Sequence, residues 1–489
     1  MSRTQVRALL LALAAVGALV VLAGVARSLG WPVVHDAALM HYLGWRIAEG
    51  DRPWVDLVDV NLPATWLLHG TWHRLFGGSA LAWRLLDVLG MAVGGAAAAA
   101  LLRPRGTAAG ALAGVLVALV HLARGALAVG QRDFFVGVLA LVAAAAVAGW
   151  LADGRRTWLR LGGAGLALGW CVATKPTAVF FLLGLACVIG AFGGRERPRG
   201  PALAALLGGA LLVGLGVLAW VAQRGVLSEG VAFWTTYMPL YRRVGALDLG
   251  SLLLRLRETP AFALLPLGLL HLGVGWREDR ARTAVIGVGL VAGALHFVLQ
   301  TKGYTYHLEP WAFFCIPAGL LAAERAWEGV PWRTVGPLTA AGAVLCLALT
   351  SWGVVADDGI DREQLAAADA LEQLLRPDER VVVMDLAQGG VQGLFQARHA
   401  QALPWVYDCF FFHDLDDPTI VGLREAFAAA LEAEPPDVIV LFDAAWPSGT
   451  WRRIDTFPAF KRFLRTGYDL DLEAHGFRLY RRRAGEDPG

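Results

Sequence analysis

Stretches with almost no charge, long enough or nearly long enough to cross a bilayer as helices, recur along the chain. They lie at about 6–29, 82–102, 107–123, 134–152, 161–173, 178–193, 202–222, 260–275, 283–299, 311–323 and 334–355. A helix needs about 20 apolar residues to cross the hydrocarbon layer. Lipid offers no partner to backbone N–H and C=O groups, so a chain built this way satisfies them internally. The fold class is therefore a polytopic α-helical membrane protein with about eleven transmembrane helices, of which 161–173 and 311–323 are short. The first run follows Arg3 and Arg7 and reaches about Ala26. That exceeds the roughly 7–15 residues of a signal-peptide core and reads as a retained first span.

Hydrophobic residues make up 56% of the 489, which agrees with lipid as the main solvent. With 17% charged residues and a formal net charge of +2, no bulk field favours nucleic acid, and basic residues matter by position. Cys171, Cys187, Cys315 and Cys346 sit in apolar runs and read as small buried hydrophobes, while Cys409 stands alone in a polar region. Neither a disulfide framework nor a zinc site follows.

Charge sorts the loops. Taken alternately they carry Arg3 and Arg7; Arg103 and Arg105; Arg155, Arg156 and Arg160; Arg195, Arg197 and Arg199; Arg277, Arg280 and Arg282; and Arg325 and Arg333. Arginine-rich loops belong in the cytoplasm. The N-terminus is then cytoplasmic, and segments 30–80, 124–133, 224–259 and 300–310, with everything after about 357, lie outside. The domain division expected is a membrane domain over 1–356, with its first outer loop at 30–80, and an outer domain over 357–489. In the latter, 361–376 reads as a helix ending before Pro377, and Val381–Met384 and Val438–Leu441 read as buried strands. A small α/β domain is the economical reading.

The first outer loop holds the chemistry. It opens His35-Asp36-Ala37-Ala38-Leu39-Met40-His41-Tyr42-Leu43, with Leu39, Met40, Leu43 and Ile47 on one helical face and Gly50 placed to end the helix. The expectation is a membrane-surface helix with Asp36 at its start. Beyond it come Trp54-Val55-Asp56, Asp59-Val60-Asn61-Leu62-Pro63, and Phe76-Gly77-Gly78-Ser79 leading to Arg84 and Asp87.

This order of motifs resembles the membrane glycosyltransferases of the GT-C fold, in the bacterial branch related to protein O-mannosyltransferases and lipid A aminoarabinose transferases. The resemblance extends in outline through Thr174-Lys175-Pro176, the Lys302-Gly303-Tyr304-Thr305-Tyr306-His307 loop and the terminal domain. It implies an inverting transfer of sugar from a polyprenyl-phosphate carrier to an extracytoplasmic glycan, lipid or protein acceptor at the bacterial inner membrane. Two positions depart from the pattern: Ala37 stands where a second acid is common, and Asn61 where a lysine is common. The first leaves Asp36 as the sole carboxylate there, and the second requires phosphate neutralisation from elsewhere.

The chemistry asks for the same groups independently. A carboxylate must take the acceptor's hydroxyl proton on the face opposite the leaving group. Phosphate leaves readily and needs cations rather than an acid. Asp36 is thus the candidate catalytic base, with helix capping as its structural alternative. Asp56 and Asp59 are candidates for substrate binding, or turn residues. Lys175, Arg242, Arg243, Lys302 and His307 are candidates for the donor phosphate, or interfacial side chains reaching for headgroups. Arg84 reads as a structural partner of Asp87 or of a neighbouring carboxylate. The triplets Asp414-Leu415-Asp416 and Asp469-Leu470-Asp471 match a nucleotide-sugar motif only formally. No cofactor is required; a single interfacial carboxylate can work without metal or hold a divalent cation weakly. A transporter or flippase of lipid-linked saccharides would place ionisable groups near the bilayer midplane and show two matching halves. A non-catalytic assembly subunit is the third reading.

Overall fold

A computed structural model describes residues 2–104, 106–194, 196–323, 332–385, 387–443 and 449–483. It divides into two compact units, each drawn from three separate segments. The first contains residues 1–32, 80–219 and 247–359, and the second 33–79, 220–246 and 360–489.

In the first unit every expected apolar run is helical. Among the described residues, six helices are long and apolar enough to cross a membrane: Arg3–Ser28, Ala80–Leu102, Arg132–Asp153, Arg199–Gln223, Arg280–Gln300 and the Val335–Ala356 part of the last. A bent pair, Leu249–Glu258 and Pro260–Glu278, turns through 87° where Pro260 cannot continue the preceding hydrogen-bond ladder. Shorter helices cover Thr107–Leu122, Gly163–Thr174, Val179–Phe192 and Glu309–Leu320. The chain is a multi-pass membrane protein. Of the loop arginines that sort the topology, Arg105, Arg195 and Arg325 lie outside the described residues.

Burial follows composition around each helix. After Glu309, the helix Glu309–Leu320 is apolar on all sides, and its whole length is buried at the centre of the unit. Arg199–Gln223 instead exposes Leu211, Leu212, Leu215 and Leu218, a face suited to lipid. Ala80–Leu102 and Thr107–Leu122 cross at Gly95 and Gly114, where a Cβ on Gly95 would lie 2.8 Å from the Gly114 carbonyl oxygen. Only small residues allow that approach.

The second unit is built on a four-stranded sheet of order β1-β2-β4-β3. Strands β1 (Val381–Met384) and β2 (Val438–Phe442) pair in parallel and are buried throughout. The hairpin β3 (Tyr468–Ala474) and β4 (Phe477–Arg482) closes on His475 and Gly476, both at positive φ (48° and 72°), and β4 pairs antiparallel with β2. Two consecutive left-handed residues are what a tight right-twisted hairpin needs. Helix Arg362–Leu374 is capped by Asp361, which accepts from the N–H groups of Glu363 and Gln364.

The same unit includes the loop after the first span. The Val58 N–H donates to the Pro404 carbonyl at 2.7 Å, and the Gln401 N–H donates to the Tyr42 hydroxyl at 2.7 Å. Asn61 reaches the Tyr407 hydroxyl at 3.3 Å.

Candidate functional site

The helix expected after the first span forms over His35–Glu49 and ends at Gly50, whose φ of 127° favours glycine. Leu39, Met40, Leu43 and Ile47 are buried as the stripe requires, but so are His41, Tyr42 and Trp45 on other faces. The helix is therefore enclosed on nearly all sides within its unit, where an interfacial helix with one wet face was expected.

Val34 is the N-cap, without a side-chain capping bond, and Asp36 lies in the first turn. Asp36 thus does not cap the helix, although its charge suits the positive end of the helix dipole. Its side chain is 17% exposed, and its Oδ1 lies 3.1 Å from Nδ1 of His35. His35 itself has φ 53°. Ala37 is buried, and the next position offers no second carboxylate.

The other acids of the loop hold local structure. Asp56 is exposed and closes a turn: its carboxylate accepts from the Arg52 backbone N–H at 2.8 Å and from the Arg52 guanidinium. These bonds from Arg52 hold its carboxyl below the usual range. Asp59 is buried and accepts from Asn61 Nδ2 at 2.8 Å and Trp66 Nε1 at 2.7 Å. Asn61, where the resemblance leads one to expect a phosphate-facing cation, is engaged with Asp59. Between helices His35–Glu49 and Pro63–Phe76, Nδ1 of His41 meets Nδ1 of His69 at 2.7 Å. One imidazole must donate and the other accept; burial, reinforced by His73 and Arg398, pushes His41 down to about 3.

Arg242 and Arg243 sit exposed in the last turn of Met238–Arg243, with Arg243 3.4 Å from Asp414 and 3.8 Å from Asp417. The formal triplets are ion-paired surface: Asp469 with Arg483 and Asp471 with Arg481 across the hairpin, and Asp414 with Arg243.

In the first unit, buried ionic side chains form two networks among the described residues. Lys175 Nζ lies 2.9 Å from Asp133 and 3.3 Å from His307 Nε2, and also meets Gln300. Asp133 accepts from His296 at 2.8 Å. Lys175 and His307 therefore come together, as a cation already matched by a carboxylate. Lys302 follows the helix end at Thr301, which has φ 61°. The second network joins Arg84 to Asp87, as expected, and Asp87 to His121 Nε2 at 2.9 Å. His121 Nδ1 then meets Glu309 at 2.9 Å. Asp87 also accepts from the Gly130 N–H, and Arg84 donates to Ser28. His121, Asp133, His296 and Glu309 carry no local sequence signal beyond being ionisable groups in or beside apolar runs, itself a pointer worth following. Among the described residues, no group of three or more His, Cys, Asp or Glu is placed to hold a metal ion.

No family model matches the sequence, and no curated protein matches it. Solved structures do. ArnT from Cupriavidus metallidurans bound to undecaprenyl phosphate superposes with a TM-score of 0.60 at 16% identity, covering 97% of this chain and 98% of that one. Its apo form gives 0.64 at 14% identity, covering 95% and 97%. The oligosaccharyltransferase AglB from Archaeoglobus fulgidus, in complex with an inhibitory peptide and a dolichol-phosphate, gives 0.59 at 13% identity, covering 97% of this chain and 74% of that one. Over nearly its whole length, this chain has the GT-C fold of membrane glycosyltransferases.

Proposed function

We propose that this protein is an inverting glycosyltransferase that moves a sugar from a polyprenyl-phosphate carrier to an acceptor hydroxyl, a glycan, lipid or protein, at the outer face of the bacterial inner membrane. The observation that carries the reading is Asp36. It is a partly exposed carboxylate in the first turn of an enclosed helix, not used as a cap and with no neighbouring acid, on a GT-C fold. Asp36 takes the proton of the acceptor hydroxyl as that oxygen bonds to the anomeric carbon. The bond from that carbon to the phosphate oxygen breaks, and the carrier phosphate leaves with the electron pair, inverting the centre.

Cations supply the leaving-group stabilisation. Lys302, Arg242 and Arg243 are the candidates, with Lys175 and His307 acting through the Asp133 network. Asp56 and Asp59 serve the acceptor side by shaping the loop. The solved relatives are described with undecaprenyl phosphate and dolichol-phosphate bound, ligands of the class proposed here. Against transport, His121, Asp133, His296 and Glu309 lie toward the ends of their helices, whereas a carrier would place such groups at the midplane.

The deciding assay presents the purified protein in liposomes with undecaprenyl-phosphate [14C]hexoses and hydroxyl acceptors. Transfer should appear as label in the acceptor with release of undecaprenyl phosphate. Movement of intact donor across the bilayer without release would identify a flippase instead. Orientation has its own check: cysteines placed at Asp56 or Asp416 should react with an impermeant thiol reagent added to intact cells, and one at Arg156 should not. Labelling at Arg156 would invert the topology.

A further inference from the structure

We infer that Arg124 binds a lipid-borne phosphate through one edge of its guanidinium. Arg124 lies in the loop between helices Thr107–Leu122 and Arg132–Asp153. Its Nε and Nη2 atoms are shut off from solvent, and neither meets a hydrogen-bond acceptor among the described residues. These two N–H groups point the same way along one edge, the fork that grips two oxygens of a carboxylate or phosphate. Elsewhere in the chain that edge is used: Arg46 gives Nε and Nη2 to the two oxygens of Asp51, and Arg478 gives them to those of Glu473. A buried donor without an acceptor is costly, and a charged one more so. The charges of Glu309 and Glu258 reach Arg124, but Glu309 bonds to His121 and Glu258 to Arg255, so neither acid takes the edge.

The backbone around Arg124 is fixed. The N–H groups of Arg124 and Gly125 donate to the carbonyls of His121 and Leu122, that of Ala126 to the Asp358 carbonyl at 2.6 Å, and that of Gly130 to Asp87. Gly125 and Gly130 have φ of 71° and 68°, and a Cβ on them would strike the Asp358 carbonyl and the Trp83 ring respectively. A cation presented from so rigid a loop binds an anion without first losing much freedom. Positive charge alone would suit the C-terminal end of helix Thr107–Leu122, but that role asks for neither a fork nor burial. The loop joins two apolar helices, and such loops lie at the level of the lipid phosphates. The phosphate comes either from the polyprenyl carrier, a source that rests on the function proposed above, or from a phospholipid headgroup.

Two substitutions in the full-length protein separate the fork from the charge: Arg124→Lys keeps the charge alone, and Arg124→Gln keeps neither. Native mass spectrometry in detergent would measure Kd for undecaprenyl phosphate, for phosphatidylglycerol and for undecaprenol, which lacks the phosphate. Both variants should raise Kd for at least one of the two phosphate lipids about 10-fold or more, with undecaprenol unaffected. A loss confined to undecaprenyl phosphate assigns the carrier as the source. A loss confined to phosphatidylglycerol assigns the headgroup, and a loss on both marks a contact that reads only the phosphate. Unchanged Kd for both lipids in both variants would overturn the inference, and a wild-type Kd in Arg124→Lys would reduce the fork to a point charge and overturn it too. Thermal unfolding without added lipid checks for a structural role. The Arg124→Gln midpoint should not fall; a clearly lower one would make Arg124 a structural partner of Glu309 instead. Because binding is read without turnover, a protein that binds phosphate through Arg124 yet transfers no sugar would refute the proposed function and leave this inference standing.

Discussion

Replacing Asp36 with Asn should lower kcat for sugar transfer by about 10²–10⁴, the range that a positioned general base contributes. Asn matches Asp in size but cannot accept a proton from the acceptor. Because Val34 and not Asp36 occupies the N-cap, the helix should form normally, and the expression level and thermal stability should stay near wild type. Binding of undecaprenyl phosphate, measured separately, should also persist, since the carboxylate acts on the acceptor. Retention of transfer near the wild-type rate would move the base elsewhere. Asp56 would be the first replacement to test, since Asp59 is buried under its bonds to Asn61 and Trp66.

The largest effect on folding is expected at Asp87. Its carboxylate serves Arg84, His121 and the Gly130 N–H, all within the first unit. Asp87→Ala leaves a buried guanidinium without its counter-charge, a loss worth about 3–5 kcal/mol where one partner of a buried pair is removed. Thermal unfolding in detergent should show a clearly lower midpoint. Replacing both partners, Arg84→Met with Asp87→Leu, removes the stranded charge and should recover part of the loss, because apolar pairs of similar volume often substitute well for buried ions. A midpoint for Asp87→Ala equal to wild type would mean that the network contributes nothing to stability.

The spans were legible because length and continuous apolarity are what a bilayer selects. All eleven stretches became helices, even the short ones: 311–323, which begins two residues after the charged start of Glu309–Leu320, survives as a short helix because it is buried by its neighbours. Strands β1 and β2 were legible for a related reason, since buried parallel strands are unbroken β-branched runs. The hairpin of β3 and β4 was not, because Asp469, Asp471 and Glu473 pair across to Arg483, Arg481 and Arg478, and alternation built on charge resembles a loop. Arg84 with Asp87 could be read at a spacing of three on one helix. Asp87 with His121, or Asp133 with Lys175 and His296, could not, because those partners meet only through tertiary packing. The enclosure of the helix after the first span also lay beyond the sequence: nothing in 33–79 announces that residues far downstream will cover it.

That covering has a cost in time. The Tyr42 hydroxyl and its donor, the Gln401 N–H, are 359 positions apart, and nearly all the membrane helices are made between them. Closing so long a loop costs entropy before any contact repays it, and folds rich in distant pairings assemble slowly. During synthesis at about 5–20 residues per second, the segment bearing Asp36 waits while span after span enters the membrane, with Tyr42 and Trp45 lacking Gln401 and Phe395 until those residues are made. The helix that bears the candidate base thus completes its packing only once residues near 400 have been made, so a product truncated before them would carry the membrane helices with that helix not yet enclosed.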